Sequence, residues 1–160
     1  MTLKLFGEKQ SDEKGKGKIY ACCKGELCTL EDTGDDIMSS GILGVGYGIY
    51  PDFEDGYAQI VSPVSARVID VSTKPDAAVV KTDDGLKVLI SFSAFSLRET
   101  KLTIKSGDKV EIGDKMAVVT PEDDKKRAVF VVVENSDMLM DYKVRKGNVA
   151  SSDPAMKYSV

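Results

Sequence analysis

The chain has 160 residues, of which 42% are hydrophobic and 30% charged, as in a single globular domain. Its formal net charge of −4 argues against a nucleic-acid partner, because phosphate binding needs a concentrated basic surface. The chain contains no histidine, which excludes Ser-His-Asp and Cys-His catalysis, histidine-based zinc sites and phosphohistidine relay. We therefore expect no metal and no cofactor.

Residues 1–18 are predicted to form a flexible tail, followed by one β domain over residues 19–160. After the apolar stretch from Met1 to Phe6, the segment through Lys18 is charged, polar or glycine and can bury little. No run approaches the roughly 20 apolar residues of a membrane helix, and no signal-peptide pattern is present. We expect a cytoplasmic protein, with no membrane contact through three apolar tail side chains.

Three cysteines lie near one end of the chain, at Cys22, Cys23 and Cys28. An odd number in one cluster is a poor disulfide framework. A zinc site would need two separated ligand pairs or a histidine, and the sequence offers neither. The pattern predicts that the three side chains are buried as small apolar groups in strands.

Short apolar runs cut by Gly, Pro, Asp and Ser begin at Ile19 and predict an all-β fold, an antiparallel sandwich/barrel hybrid with a few short helical turns. Glycines at positions 41, 44, 46 and 48 argue against a helix there. Strands are predicted at residues 67–71, 77–80, 86–90, 110–112, 116–120 and 130–133. The last is a continuous apolar run, as expected of a strand covered on both faces.

Two turns are predicted to join hairpins. Asp84-Gly85 separates the second and third strands, and glycine tolerates the positive φ of a tight turn. Gly113-Asp114 is predicted to do the same between residues 110–112 and 116–120. Short helices are predicted at residues 122–127 and 137–142, since each follows a residue that can open a helix.

Several segments together resemble the glucose-type enzyme IIA domain of the bacterial sugar phosphotransferase system. They are Ile19-Tyr-Ala21, Gly25-Glu-Leu27, Gly44-Val-Gly-Tyr-Gly-Ile-Tyr-Pro51, Val61-Ser-Pro-Val64, Val88-Leu-Ile-Ser-Phe92 and Ser106-Gly-Asp-Lys-Val110. Their order and spacing extend the resemblance over roughly residues 19–160. It implies an antiparallel β-sandwich or barrel whose active site lies in a shallow apolar depression on one face.

In that family one histidine accepts the phosphoryl group and a second supports it. With Gly85 on the family's hairpin glycine, the accepting histidine falls on Asp76 and the supporting histidine on Ser91. A family threonine falls on Lys74, and two family aspartates fall on Val45 and Phe95. The resemblance thus implies a phosphoacceptor pocket without its chemistry, at positions Asp76, Ser91, Lys74, Val45, Phe92 and Phe95.

The resemblance implies a protein that binds and regulates rather than catalyses. Its partners would be proteins that dock on the shallow apolar face, such as a sugar transporter domain or a phosphocarrier protein. Aromatic side chains would either border that face or belong to the core: Phe92, Phe95, Tyr47 and Tyr50. Asp76 would either be a solvated residue at a strand start or supply a standing negative charge as a partial phosphate mimic.

Three alternatives remain open. The first is a phosphoryl carrier that uses the carboxylate of Asp76, which would normally need a divalent cation to offset charge. The second is a biotinyl or lipoyl carrier domain, but Lys115-Met116 matches only half of the Met-Lys-Met tip of such domains. The third is a folded protein without a selected activity at this site.

Overall fold

The computed structural model describes residues 17–74 and 76–160. These residues form fourteen β-strands. In the first half of the chain they are β1 Lys18–Tyr20, β2 Gly25–Thr29, β3 Val45–Pro51, β4 Ala58–Val61, β5 Ala66–Val71, β6 Ala77–Thr82 and β7 Lys87–Ser91. In the second half they are β8 Thr100–Leu102, β9 Lys109–Val110, β10 Lys115–Val119, β11 Val129–Val133, β12 Asp141–Val144, β13 Gly147–Val149 and β14 Pro154–Ser159.

The strands form three open sheets in which all pairings are antiparallel. The largest has eight strands in the order β13-β2-β3-β11-β7-β6-β5-β9, and the two smaller ones have the orders β4-β10-β8 and β1-β14-β12. The predicted all-β class is confirmed. Because the sheets do not close, the architecture is a sandwich and not a barrel.

The main core is one cluster that draws on residues from Ile19 to Met156. The hydroxyl of the buried Tyr47 donates to the Tyr20 carbonyl at 2.7 Å and accepts from the Cys22 amide at 3.2 Å, so its polar end is satisfied. All three cysteines are free and buried, as predicted, but only Cys28 lies in a strand, since Cys22 and Cys23 lie in the bend between β1 and β2. Burial raises the pKa of the Cys28 thiol to about 11.

β11 is the central strand of the large sheet, between β3 and β7, and all five of its residues are buried. One of its faces belongs to the main core and the other to a second apolar cluster. The continuous apolar run at 130–133 is therefore a strand covered on both sides, as predicted. The hairpin at Asp84-Gly85 is also confirmed, because β6 and β7 pair directly and Gly85 has a φ of 94°.

The prediction of a second hairpin at Gly113-Asp114 is wrong. The turn exists, since the Asp114 amide donates to the Glu111 carbonyl at 3.0 Å and Gly113 has a φ of 93°. However, β9 pairs with β5 in the large sheet, whereas β10 pairs with β4 and β8 in a small one. The chain changes sheets at this turn instead of folding back on itself.

The predicted helices differ from those observed. Residues 122–127 are irregular, and residues 137–142 contain only the end of a 3₁₀ turn, Ser136–Met138, before β12 begins. A 3₁₀ turn at Glu31–Thr33 and a short helix, α1, at Asp36–Ser39 were not predicted. Within the two described ranges, no helix is long and apolar enough to cross a membrane.

The predicted tail falls mostly outside the described residues, which begin at position 17. Lys18, assigned to the tail from the sequence, is the first residue of β1.

Candidate functional site

Strands β3, β11 and β7 carry the second apolar cluster on the outer side of the large sheet, and β6 continues the same side. Val132 lies opposite Leu89, which in turn lies opposite Val79, so these side chains share one face. The buried members of the cluster are Leu30, Met38, Ala128, Phe130 and Val132, and Leu43, Tyr50, Leu89 and Ala94 pack beside them. We call this surface the apolar face.

Helix α1 covers one side of the apolar face, and a cap on its first turn stabilises it there. The carboxylate of Asp35 accepts hydrogen bonds from the amides of Ile37, at 3.0 Å, and Met38, at 2.9 Å. This cap turns Met38 into the cluster and leaves Ile37 exposed over 60% of its surface. Ile42, just beyond the helix, is 79% exposed. Exposed large apolar side chains thus flank a buried apolar surface.

Two glycines of β3 allow other atoms to approach the apolar face closely. A Cβ atom at Gly46 would lie 1.9 Å from the carbonyl oxygen of Val131, and one at Gly48 would lie 2.5 Å from the Thr33 methyl group. The 3₁₀ turn before α1 therefore rests directly on Gly48. From the sequence these glycines argued only against a helix, and their packing role was missed.

Ser91 lies at the end of β7, opposite Ala77 on one side and Phe130 on the other. It is buried, and its hydroxyl is 3.0 Å from that of Ser93 and accepts the Ser93 amide at 3.2 Å. A serine hydroxyl needs an adjacent base to become a nucleophile. The partner of Ser91 is a second hydroxyl, which cannot take up its proton near neutral pH.

The main chain of Asp76 lies beside the end of β7, because the Asp76 carbonyl accepts a hydrogen bond at 2.7 Å from the amide of Phe92, the residue after Ser91. Its carboxylate accepts a hydrogen bond from the Ser72 hydroxyl at 2.8 Å, and its amide donates to the Lys74 carbonyl at 2.6 Å. The side chains of Asp76 and Ser91 thus have separate partners. In the described parts of the chain, no three His, Cys, Asp or Glu side chains converge as they would around a metal.

The remaining predicted site positions do not line the apolar face. Lys74 is exposed in the turn before β6, whereas Val45 is half-buried against the main core. Phe92 is fully buried in the main core, and Phe95 packs edge to face on Phe53 with ring centroids 6.4 Å apart. Of the two alternatives left open for Phe92 and Phe95, the structure agrees with the core, since both side chains belong to the main core and alternation along β7 turns Phe92 away from the face of Ser91.

The two tyrosines divide between the same two environments. Tyr47 is fully buried in the main core, and Tyr50 is half-buried at the edge of the apolar face. The Lys126 ammonium lies 4.5 Å from the centre of the Tyr50 ring. Only Tyr50 therefore borders the face.

A family model described as phosphoenolpyruvate-dependent sugar phosphotransferase system, EIIA 1, matches residues 17–139. The chain belongs to this EIIA family. A "PTS system glucose-specific EIIA component" of Staphylococcus aureus is 31% identical over 118 residues, which are 71% of this chain and 68% of that protein. A protein of the same description from Staphylococcus epidermidis is 30% identical over the same shares.

The fold of the EIIA chain also matches a solved structure, the "glucose permease IIA from Mycoplasma capricolum". The TM-score is 0.70 at 20% sequence identity, over 87% of this chain and 94% of that one. The resemblance found in the sequence is thereby confirmed. The biotinyl or lipoyl alternative finds no support, because Lys115 begins β10 opposite Val61 and Met116 is fully buried.

A buried ion pair of the EIIA chain was missed in the sequence. The carboxylate of Glu99, 3% exposed, accepts hydrogen bonds from the Arg127 guanidinium at 2.9 and 2.7 Å. It also accepts from the amides of Ser96, at 2.7 Å, and Glu122, at 2.8 Å. The Arg127 guanidinium holds the pKa of Glu99 down at about 2, with help from the two amides.

This pair fastens the loop after β7 to the segment before β11. Arg127 also bonds Asp123 at 3.0 Å, and its guanidinium lies 4.9 Å from the centre of the Phe95 ring. Because residues 99 and 127 are far apart in sequence, no local pattern indicates their pairing. The charged run at 122–127 instead resembled the start of a helix.

Proposed function

We propose that this EIIA protein does not carry a phosphoryl group and acts by docking on protein partners. The observation that carries the proposal is the state of Ser91: it lies on the apolar face of a chain without histidine, and its hydroxyl pairs with another hydroxyl. A phosphoryl carrier needs a nucleophile whose phosphorylated form is reactive but survives until transfer. Neutral imidazole meets both needs near pH 7, and a serine paired with a serine meets neither.

The partners proposed are other proteins of the phosphotransferase system, a sugar transporter domain or a phosphocarrier protein. The support is the apolar face itself, where the buried Met38 and Phe130 adjoin the exposed Ile37 and Ile42. Because Met38 and Phe130 are buried, a partner would meet the exposed side chains beside them, and exposed apolar patches are typical of protein docking sites. A cytoplasmic location fits such partners and belongs to the same proposal.

Phosphotransfer tests the first half of the proposal. The purified protein would be mixed with phosphoenolpyruvate, enzyme I and the phosphocarrier protein, and its intact mass read with and without Mg²⁺. A histidine-bearing EIIA component in the same mixture serves as the positive control. We expect no mass gain while the control gains one phosphoryl group. A gain in this protein would refute the proposal.

Docking tests the second half. Ile37→Asp places a charge beside the apolar face, and Val160→Asp places one on a residue of similar exposure, 58%, just after β14. If the face docks a partner, Ile37→Asp should weaken binding to an immobilised phosphocarrier protein or transporter domain about tenfold or more, whereas Val160→Asp should leave it unchanged. Equal binding by both variants would refute docking on this face.

A second candidate function is phosphoryl transfer through Asp76. Its half-buried carboxylate beside the end of β7 favours it. A carboxylate oxygen would attack the donor's phosphorus, the donor bond would break, and an acyl phosphate would form. The hydrogen bond from Ser72 opposes this reaction by stabilising the unreacted carboxylate. In the mass experiment this function requires a gain that Asp76→Ala abolishes.

The same carboxylate can act as a standing charge without being phosphorylated. It carries about one negative charge, against about 1.5 to 2 for a phosphate, so any mimicry is partial. Asp76→Asn keeps the shape and removes the charge, which makes it the decisive variant. If partner binding is the same for the wild type, Asp76→Asn and Asp76→Ala, the charge has no role.

A further inference from the structure

Three lysines stand in one row across the small sheet β1-β14-β12. Lys18 of β1 lies opposite Lys157 of β14, and Lys157 lies opposite Lys143 of β12. Directly opposed residues project from the same face with Cβ atoms about 5 Å apart, and like charges so placed destabilise a sheet. In the neighbouring row, Met156 is buried in the main core, so the lysines project outward.

Within the described residues, no acidic side chain forms an ion pair with this row. In residues 17–74 and 76–160, none of the ion pairs includes Lys18, Lys143, Lys157 or the adjacent Arg145. Asp141, at the start of β12, lies opposite Ser159 in the next row but one, and its carboxylate accepts the amide of Tyr142 at 2.8 Å. Although the net charge of the chain is −4, four cations that form no ion pair with another described residue thus lie at one place.

These cations surround a depression of about 440 Å³. Its lining consists of Lys18, Lys143, Arg145 and Lys157 together with Pro154, Ala155 and Met156. Depressions of this size hold small ligands in other proteins. Four of its seven lining residues are cations, so its lining suits an anionic ligand. We call it the lysine-row depression.

We propose that the lysine-row depression binds a small molecule that carries two or more linked phosphate groups. A ligand with one negative charge would leave most of the repulsion between the three lysines in place. A ligand with several linked negative charges would reduce that repulsion at every lysine of the row. Lysine suits this role because its ammonium is a point charge on a flexible stem, so separate strands can converge on one ligand. The floor of Pro154 and Ala155 leaves room for an uncharged part of the ligand.

A second row of cations provides a matched control. Lys109, Arg67, Lys81 and Lys87 lie opposite one another across β9, β5, β6 and β7. They have the same charge and the same cross-strand pairing, but they belong to a different sheet. Replacing three lysines in either row changes the net charge equally, so a difference between the variants reports the depression and not overall charge.

The probe is sodium tripolyphosphate, with orthophosphate for comparison, titrated calorimetrically at low ionic strength. The site variant combines Lys18→Gln, Lys143→Gln and Lys157→Gln, and the control combines Lys81→Gln, Lys87→Gln and Lys109→Gln. We expect tripolyphosphate to bind more tightly than orthophosphate. We also expect the site variant to weaken tripolyphosphate binding about tenfold or more, while the control changes it by no more than about twofold. Thermal melts should show both variants folded, since all six lysines are at least partly exposed.

Three results would overturn the proposal. The first is equal weakening in both variants, and the second is no binding of tripolyphosphate by the wild type. The third comes from vesicles of phosphatidylglycerol: if the protein sediments with them through the lysine row but does not bind soluble tripolyphosphate, the row serves a membrane surface instead. Binding of tripolyphosphate with site-specific loss supports the proposal whether the phosphates belong to a free metabolite or to a lipid headgroup. If vesicles compete with soluble tripolyphosphate for the site, a lipid headgroup can supply the phosphates. If they do not compete, the source is a free metabolite.

Discussion

Replacing Glu99 with glutamine should destabilise the fold more than any surface change of equal size. Each oxygen of the Glu99 carboxylate accepts two hydrogen bonds. One oxygen accepts from the Arg127 guanidinium and the Ser96 amide, and the other accepts from the Arg127 guanidinium and the Glu122 amide. A glutamine amide would turn one of these oxygens into a donor that faces two donors. At least two hydrogen bonds to a charged group would be lost, each contributing about 1.5–3 kcal/mol. We therefore expect a loss on the order of 3–5 kcal/mol at pH 7.

The pH dependence of this loss identifies its cause. The pKa of Glu99 is lowered from 4.5 to about 2 in the folded protein. A carboxylate with a depressed pKa contributes stability that is complete above its unfolded pKa and is lost as the pH falls toward its folded pKa. The difference between wild type and Glu99→Gln should therefore be constant from pH 7 to about 5 and shrink progressively below about 4.5.

Urea unfolding followed by circular dichroism measures both quantities, since the chain has no tryptophan for fluorescence. Glu122→Gln is the control, because it breaks only the exposed Arg98–Glu122 pair and should cost less than about 1 kcal/mol. A loss below about 1 kcal/mol for Glu99→Gln, or a loss that stays constant down to pH 3, would refute the assignment of Glu99 as a buried, ionised anchor.

Two further outcomes follow from packing. Gly46→Ala should destabilise by about 3 kcal/mol or more in urea unfolding, because its Cβ would meet the main chain of Val131. Gly56→Ala is the control: its Cβ faces open space, so it should cost only the roughly 1–2 kcal/mol of a left-handed backbone. Similar losses for both would contradict the close approach at Gly46. The three thiols should react with a disulfide reagent only after denaturation. At pH 8 a thiol with a pKa of about 11, as for Cys28, is about one part in a thousand thiolate, and rapid reaction of any native thiol would contradict its burial.

The strands of this protein could be predicted where local sequence decides them. The apolar run at 130–133 and the Asp84-Gly85 turn are local signals, and both gave the observed elements. Gly113-Asp114 carries the same local signal but joins two sheets. The pairing of β9 with β5 and of β10 with β4 depends on residues tens of positions away, which no turn can encode. Residues 122–127 do not form the predicted helix for the same reason. The carboxylate of Glu99, which is distant in sequence, bonds the Glu122 amide and the Arg127 guanidinium.

The same distinction between local and long-range signals holds for the candidate site. The resemblance put Ser91 and Asp76 on neighbouring strands; in the structure Ser91 lies opposite Ala77, and the main chain of Asp76 bonds the residue after Ser91, Phe92. The sequence left open whether Phe92 and Phe95 border the depression or belong to the core, and strand alternation and the contact with Phe53 place both side chains inward. The cover supplied by α1 was missed because a four-residue helix depends on a single cap, the carboxylate of Asp35, for most of its local stability.

The shape of the apolar face does not depend on the residues that would carry its chemistry. Main-chain approach at Gly46 and Gly48, the Asp35 cap and the Glu99–Arg127 anchor fix the strands, the helix and the loop around it. Among the described residues, the side chains of Asp76 and Ser91 form hydrogen bonds only with the nearby Ser72 and Ser93. A change at position 76 or 91 can therefore alter phosphoryl chemistry and leave the surface intact. This separation of shape from chemistry explains physically how an EIIA fold without histidine could keep a docking face.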